Sequence, residues 1–432
     1  MKILIVGAGG FLGRHLAGRL AAHGHLIVAA GRNPDRLAWM LPGTETVRCD
    51  LETDTSADWA SRLAGVDVVI NCAGLIRDSG GRYAAVHDRG AVALFDACFA
   101  TGVGRVLQVS ALGAEAGAIT LYHQTKRAAD DYLAGLDPTG ARIDWAVLRP
   151  SLIVGRGGQS TALFASLAAL PMPLRLGPGH WALQPIHVDD LVTAITALID
   201  RPGPIAARID MVGPEAMTTD AVTSAFRRWL GLAPARSLPV PAWAIGVAAR
   251  IGETIGLGAV TRESVTMLRA GNVGDAGPMV AACGVRPASL ELALARNPSV
   301  AADLSAARMA PVRHLLRGLL AVVWLAGGLI PLLLTPRPQS IALLRTVGIT
   351  GGAAPVTLVG ASLIDIAIGL ALALRIRVRP VAAASLVVMV GYSAILALCI
   401  PSLWADPFGP LVKNLAVLGL ALAVYATEAD HG

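Results

Sequence analysis

The apolar positions of this 432-residue chain follow two different rules along its length. Through the first two hundred residues, short β-branched runs alternate with stretches whose apolar residues recur at helical spacing. The runs predict strands near Lys2–Val6, Leu26–Ala30, Thr46–Cys49, Val68–Asn71, Val106–Val109 and Trp145–Leu148. Most are nearly continuous apolar runs rather than alternating ones, which fits a sheet covered on both faces. Strands separated by helices predict an α/β domain with a doubly wound parallel sheet. Between about Gly157 and Pro298 the regularity loosens. Turns around Pro171–Pro178 and Pro239–Trp243 separate shorter helices such as Thr218–Leu230, which predicts a small second region at 157–298.

From Gly318 onward, charges become sparse and four apolar blocks follow, at Gly318–Thr335, Pro355–Leu374, Pro380–Ile400 and Pro410–Ala426. Each is close to the roughly 20 residues needed to cross a bilayer core, which predicts an all-α four-helix transmembrane bundle. Pro380–Ile400 carries no charge at all, and Pro331, Pro355 and Pro410 are compatible with membrane helices. Ser299–Leu316 is amphipathic and basic-tipped. The expected organisation is therefore residues 1–300 as the α/β domain, 301–316 as an amphipathic linker and 317–432 as the membrane domain.

Composition agrees with this division: 54% of residues are apolar and 15% charged, on either side of what a soluble globular chain shows. The net charge of +6 does not point to nucleic acid, because the basic residues are scattered and several flank the apolar blocks. The five cysteines, Cys49, Cys72, Cys98, Cys283 and Cys399, form no CxxC pair and lie mostly in apolar stretches, so buried free thiols are expected. The apolar run at the N-terminus stops at glycine without a small-residue cleavage site, so it reads as a first strand and no signal peptide is expected.

Gly7-Ala8-Gly9-Gly10-Phe11-Leu12-Gly13 directly follows that strand and opens a helix. Gly7 permits a tight turn, Gly10 lets backbone N–H groups approach a pyrophosphate, and Gly13 allows the helix to pack closely on the strand. A dinucleotide would then rest its phosphates on the helix N-terminus, in a Rossmann-type domain. Gly9, Phe11 and Leu12 belong to the same turn. The second strand ends Gly31-Arg32-Asn33, with a guanidinium where an NAD-selective site places an acid, which argues for NADP(H), with NAD(H) as the alternative. Asp35 is a possible ion-pair partner for Arg32. Asp50, with Leu51, closes the third strand near the expected adenine, and Asn71-Cys72-Ala73-Gly74 near the nicotinamide. Either acid or amide can instead cap a helix.

Tyr122 and Lys126 are four residues apart and so share a helix face. An ammonium beside a phenol lowers its pKa from about 10 and makes it useful in proton transfer. Ser110, at the end of the fifth strand, stands where a hydroxyl can bond a substrate oxygen as charge develops. His23, His25 and His123 have no ligand-like partners, so no metal is assigned. His187 and Asp189 form a tempting second acid–base pair, although Asp189 reads more simply as a helix cap.

With these motifs in order, and Arg149-Pro150-Ser151 and His187-Val188-Asp189-Asp190 after them, residues 1 to 300 resemble the extended and atypical short-chain dehydrogenase/reductases. The subgroup most similar is the atypical branch of the nucleotide-binding accessory subunit of respiratory complex I. The resemblance implies that Ser110, Tyr122 and Lys126 do the proton chemistry, and that the segment around Pro150 borders cofactor and substrate. Ser402-Leu403-Trp404-Ala405-Asp406-Pro407-Phe408-Gly409-Pro410-Leu411-Val412-Lys413-Asn414 resembles the DoxX-like membrane family. Asp365 and Lys413 are ionisable residues at or near membrane depth, either functional, or paired with each other, or with Lys413 snorkelling to the interface.

The sequence thus predicts a membrane-tethered NADP(H)-dependent oxidoreductase acting on a carbonyl or alcohol. Its expected partners are the lipid bilayer and a small lipophilic substrate, with a membrane protein as a further candidate. Arg308, Arg313 and Arg317 before the first span, and Arg375, Arg377 and Arg379 between the second and third, place the enzyme domain and the Thr427–Gly432 tail in the cytoplasm, at a bacterial inner membrane. Two other readings stay open: an epimerase- or dehydratase-type enzyme that uses its nucleotide transiently, and a non-catalytic NADPH-binding scaffold or redox sensor.

Overall fold

The computed structural model describes residues 1–75, 78, 80–177, 181–254, 261–407 and 409–428. Pro178, Phe408 and the end of the tail, all used above, lie outside the described residues. The chain divides into two compact units: Met1–Arg250 with Ala259–Leu304, and Ile251–Gly258 with Ser305–Gly432.

The first unit is built on a parallel sheet. Its strands are β1 (Lys2–Val6), β2 (Leu26–Gly31), β3 (Glu45–Arg48), β4 (Val68–Asn71), β5 (Arg105–Val109), β6 (Asp144–Pro150) and an edge strand, Ala207–Met211. From that edge the order is Ala207–Met211, β6, β5, β4, β1, β2, β3. The alternation of side chains along β1 divides it between two cores. Ile3 and Ile5 pack with Leu12, Leu16 and Leu20 of helix α1 (Phe11–Ala22), whereas Leu4 and Val6 pack with Leu94 and Phe95 on the other face. Both cores are buried and apolar, so the sheet is covered on both sides and the doubly wound arrangement follows. The strand order reverses between β1 and β4, which opens a crevice at the carboxyl edge of the sheet.

The six strands read from the sequence are all present, with ends shifted by a residue or two. The edge strand was not foreseen. Its Arg208 and Asp210 interrupt the apolar run because a sheet edge is half solvated, and they pair with Asp131 and Arg149 respectively. At the start of the helix Val188–Asp200 the cap is His187, whose Nδ1 accepts from the Asp189 N–H at 3.2 Å. This corrects the assignment of the cap to Asp189, whose carboxylate instead accepts from Asn297.

In the second unit, four helices are long and apolar enough to cross a membrane: Ala301–Leu334, Ala353–Ala373, Val378–Cys399 and Pro410–Thr427. Residues 301–316, expected as a linker, are helical and continuous with the first of them, and Pro311 does not break the helix. A further short helix, Arg337–Thr346, was not foreseen, because it has no long apolar run to mark it. Asp365 accepts from the Tyr392 hydroxyl at 3.2 Å, while Lys413 is exposed, which corrects the pairing of Asp365 with Lys413. Arg317 and Glu428 form a buried ion pair at 2.7 Å.

Candidate active site

After β1 the chain turns through Gly7 at φ +76°, where a Cβ would stand 3.0 Å from the Ala73 nitrogen. A Cβ on Gly13 would be 2.4 Å from the Gly7 carbonyl oxygen, so α1 sits closer to the turn than any side chain permits. The Gly10 N–H donates to the Gly7 oxygen at 2.9 Å, and α1 begins with Gly10 at its cap and no side-chain cap bond. The first N–H groups of the helix are thus left for an anion, at the positive end of its dipole. These features fit a dinucleotide: a glycine cradle, an uncapped helix start and a crevice directly above.

That crevice is a cavity of about 520 Å³. Gly10, Phe11, Leu12, Ala73, Gly74 and Pro150 line it together with Ser110, Tyr122 and Lys126. Gly7, Gly9 and Gly13 lie around and beneath the turn without lining the cavity. Arg32 is exposed at the end of β2 and makes no ion pair with Asp35 or any other described residue. Asp50 accepts from the Glu52 N–H at 3.1 Å, a turn-capping bond. Leu51 is buried, and its carbonyl oxygen lies 2.1 Å from where a Cβ on Gly90 would be. Arg32, Asp50 and Leu51 therefore stand apart from the cavity wall.

Helix α5 is capped at Thr120 and spans Leu121–Leu136 (the helices α2, Pro34–Met40, α3, Ser56–Ala60, and α4, Gly90–Thr101, precede it). It carries Tyr122, Lys126 and Asp130 at intervals of four. Lys126 is buried, with Nζ donating to the carbonyls of Ala73 and Val109 at 3.0 Å each. Burial lowers its pKa to about 8. Burial also pushes Tyr122 up to about 12, with Asp130 and Glu263 adding to the rise. This corrects the expectation that Lys126 lowers the Tyr122 pKa: burial is the largest cause of the rise, the nearby acids add to it, and the Lys126 ammonium is held by two carbonyls.

Three further residues shape the site. Asn71, buried, accepts from the Ala73 N–H and donates to Gln108, which braces the loop of Cys72 and Gly74. His87 accepts from the Leu75 N–H at 2.8 Å through Nε2, stacks on Tyr83 and meets Tyr122 edge-on at 5.4 Å. Asp130 accepts the Ser110 hydroxyl. Spacing is the one sequence signal that pointed to Asp130, since it continues the Tyr122, Lys126 series by one turn.

Burial lowers the His87 pKa to about 3. The unfolded chain thus binds a proton that the native one refuses between pH 6.5 and about 3, and stability is lost as pH falls through that window. A His87→Gln variant keeps an acceptor for Leu75. Its melting temperature is expected to fall less steeply on acidification from neutral pH, and slopes equal to wild type would refute the assignment.

Residues 7–164 match the family described as NAD(P)H-binding, and residues 321–422 match the DoxX-like family. The chain is 34% identical over 204 residues to a ceramide reductase of Caulobacter vibrioides, covering 46% of this chain and 61% of that protein. It is 29% identical over 227 residues to a dTDP-4-dehydrorhamnose reductase of Mycolicibacterium smegmatis, covering 46% of this chain and 60% of that protein. It thus spans about three fifths of the length of each of these relatives. Among solved structures it is similar to MoeE5 in complex with UDP-glucuronic acid and NAD, with a TM-score of 0.54 and 20% identity over 68% of this chain and 97% of that one. At that identity the likeness is one of fold. The chain joins an NAD(P)H-binding Rossmann-type domain, with reductase relatives, to a DoxX-like region of four apolar helices.

Proposed function

We propose that this protein is a membrane-tethered, NADP(H)-dependent oxidoreductase that reduces the carbonyl of a neutral, lipophilic substrate. The observation that carries the reading is the cavity wall. Lys126 is the one charged side chain among its described lining residues, and two backbone carbonyls already hold its ammonium. Leu112, Leu152, Leu163, Phe164, Trp181 and Leu268 form much of the remainder. A nucleotide-sugar substrate brings a diphosphate that needs countercharges, and an apolar wall penalises it. An alkyl chain is favoured there at about 25 cal/mol per Å² buried. The lipid named in ceramide reductase supports the same choice over the nucleotide sugar of the other relative.

When bound, the nicotinamide supplies the hydride. The chain's own residues supply the rest. With its pKa at about 12, Tyr122 keeps its proton at neutral pH and is poised as the acid that reduction needs. Ser110 lies beside it to bond the substrate oxygen. Lys126 ties the Ala73 loop to the end of β5, holding the two walls of the crevice in register. Arg32, free of ion pairs among the described residues, is available to a 2′-phosphate. The basic residues that flank the first three spans favour a cytoplasmic enzyme domain, the side that holds NADPH.

Cofactor choice is tested by titrating the full-length protein in detergent with NADPH and NADH. Arg32→Ala is expected to weaken NADPH about tenfold or more, the worth of a charge-assisted bond, and to leave NADH unchanged. Equal losses for both nucleotides would overturn the assignment of Arg32.

A further inference from the structure

Asp130 is 1% exposed, and the proton chemistry above gives it no task. Its Oδ2 accepts the Ser110 hydroxyl, while its Oδ1 is buried without a hydrogen-bond partner. An ionised carboxylate with one bare buried oxygen is costly, and protonation relieves the cost. The groups facing Asp130 offer little compensation. From its own helix come Tyr122, Lys126 and Asp131; directly after β5 comes Ser110; from the edge strand comes Arg208. Lys126 is engaged by the Ala73 and Val109 carbonyls, and Arg208 donates to Asp131 at 2.6 Å.

A hydroxyl has one proton to give and two lone pairs to receive. We propose that Asp130 is a positioning residue that sets the direction of the Ser110 hydrogen bond. As a carboxylate, it accepts the Ser110 hydrogen bond, and Ser110 presents only lone pairs to the cavity. As a carboxylic acid, it donates its own proton to the Ser110 oxygen and leaves the Ser110 hydroxyl free to donate to a substrate carbonyl. Only a solvent proton is gained or lost, at Asp130. The acid form suits a carbonyl, and the ionised form suits an alcohol that must itself donate. Burial has raised the Asp130 carboxyl to about 6, so the change falls near working pH. The inference rests on the oxidoreductase reading of this site.

The test compares wild type, Asp130→Asn and Ser110→Ala as full-length proteins in nanodiscs. The wild-type reduction rate is expected to fall about tenfold as pH rises through the Asp130 midpoint, the loss of one donor to the substrate oxygen. In Asp130→Asn the amide does not titrate and can donate to Ser110 at every pH, so that fall disappears and the rate on the alkaline side exceeds wild type. A second readout needs no turnover: the wild type minus Asp130→Asn infrared difference should contain one carboxylic acid band that titrates near pH 6 and moves in Ser110→Ala. Superimposable pH profiles, or a carboxylate that is ionised across the whole range, would overturn the proposal. Absence of any reduction in all three proteins counts against the oxidoreductase reading instead, and the infrared titration then still decides the Asp130–Ser110 coupling.

Discussion

Tyr122→Phe is expected to lower the rate of carbonyl reduction by about 10³-fold while leaving NADPH affinity within about twofold, in line with the usual contribution of a positioned acid. The separation of the two effects follows from the surroundings. The Tyr122 ring is held edge-on by Tyr83, His87 and His123, and phenylalanine preserves those contacts. The hydroxyl makes no hydrogen bond to a described residue, so its removal strands no buried partner, and stability should change little. What is lost is the phenolic proton, while the one charged group on the described wall, the Lys126 ammonium, stays held by the Ala73 and Val109 carbonyls. Single-turnover reduction beside a nucleotide titration measures both. A variant that reduces at the wild-type rate would remove Tyr122 from the chemistry.

Gly13→Ala is expected to weaken nucleotide binding by well over tenfold and lower the melting temperature. The added methyl would stand 2.4 Å from the Gly7 oxygen and 2.8 Å from the Ala8 Cα. Both are backbone atoms of the turn itself, so no side chain can swing away and α1 has to shift as a body. Overpacking of this kind costs about 1–3 kcal/mol. The shift also carries the free N–H groups of the helix start away from the phosphate position, so NADPH affinity should fall by well over tenfold. Thermal unfolding with and without NADPH reads both effects. Wild-type melting and wild-type affinity together would show that the turn is not the phosphate cradle.

The parts of the molecule that were legible in the sequence are those written by local rules. β1, β2, β4, β5 and β6 announce themselves because strands covered on both faces are largely apolar, and the four spans because a bilayer sets their length. The Ala207–Met211 strand was hidden by Arg208 and Asp210, whose partners come from distant elements. The site divides in the same way. Gly10, Ser110, Tyr122 and Lys126 were found from spacing and strand ends, and they meet in one cavity. The direction of the Tyr122 shift was not legible, because it depends on burial and on Glu263, 141 residues away, whose carboxylate accepts the Tyr122 N–H. The Ser110–Asp130 bond was hidden for a similar reason: it joins a strand end to the third turn of a helix, a juxtaposition only the packed α5 creates.

The central claim is that hydride delivered at this site ends on a neutral, lipophilic carbonyl. The most direct measurement follows NADPH absorbance with the full-length protein in nanodiscs, offered a long-chain ketone or a UDP-sugar. The account predicts NADPH consumed in step with ketone reduced, loss of that activity in Tyr122→Phe, and no reaction of the sugar nucleotide. Conversion of the UDP-sugar without net NADPH consumption, and no reduction of the ketone, would contradict it.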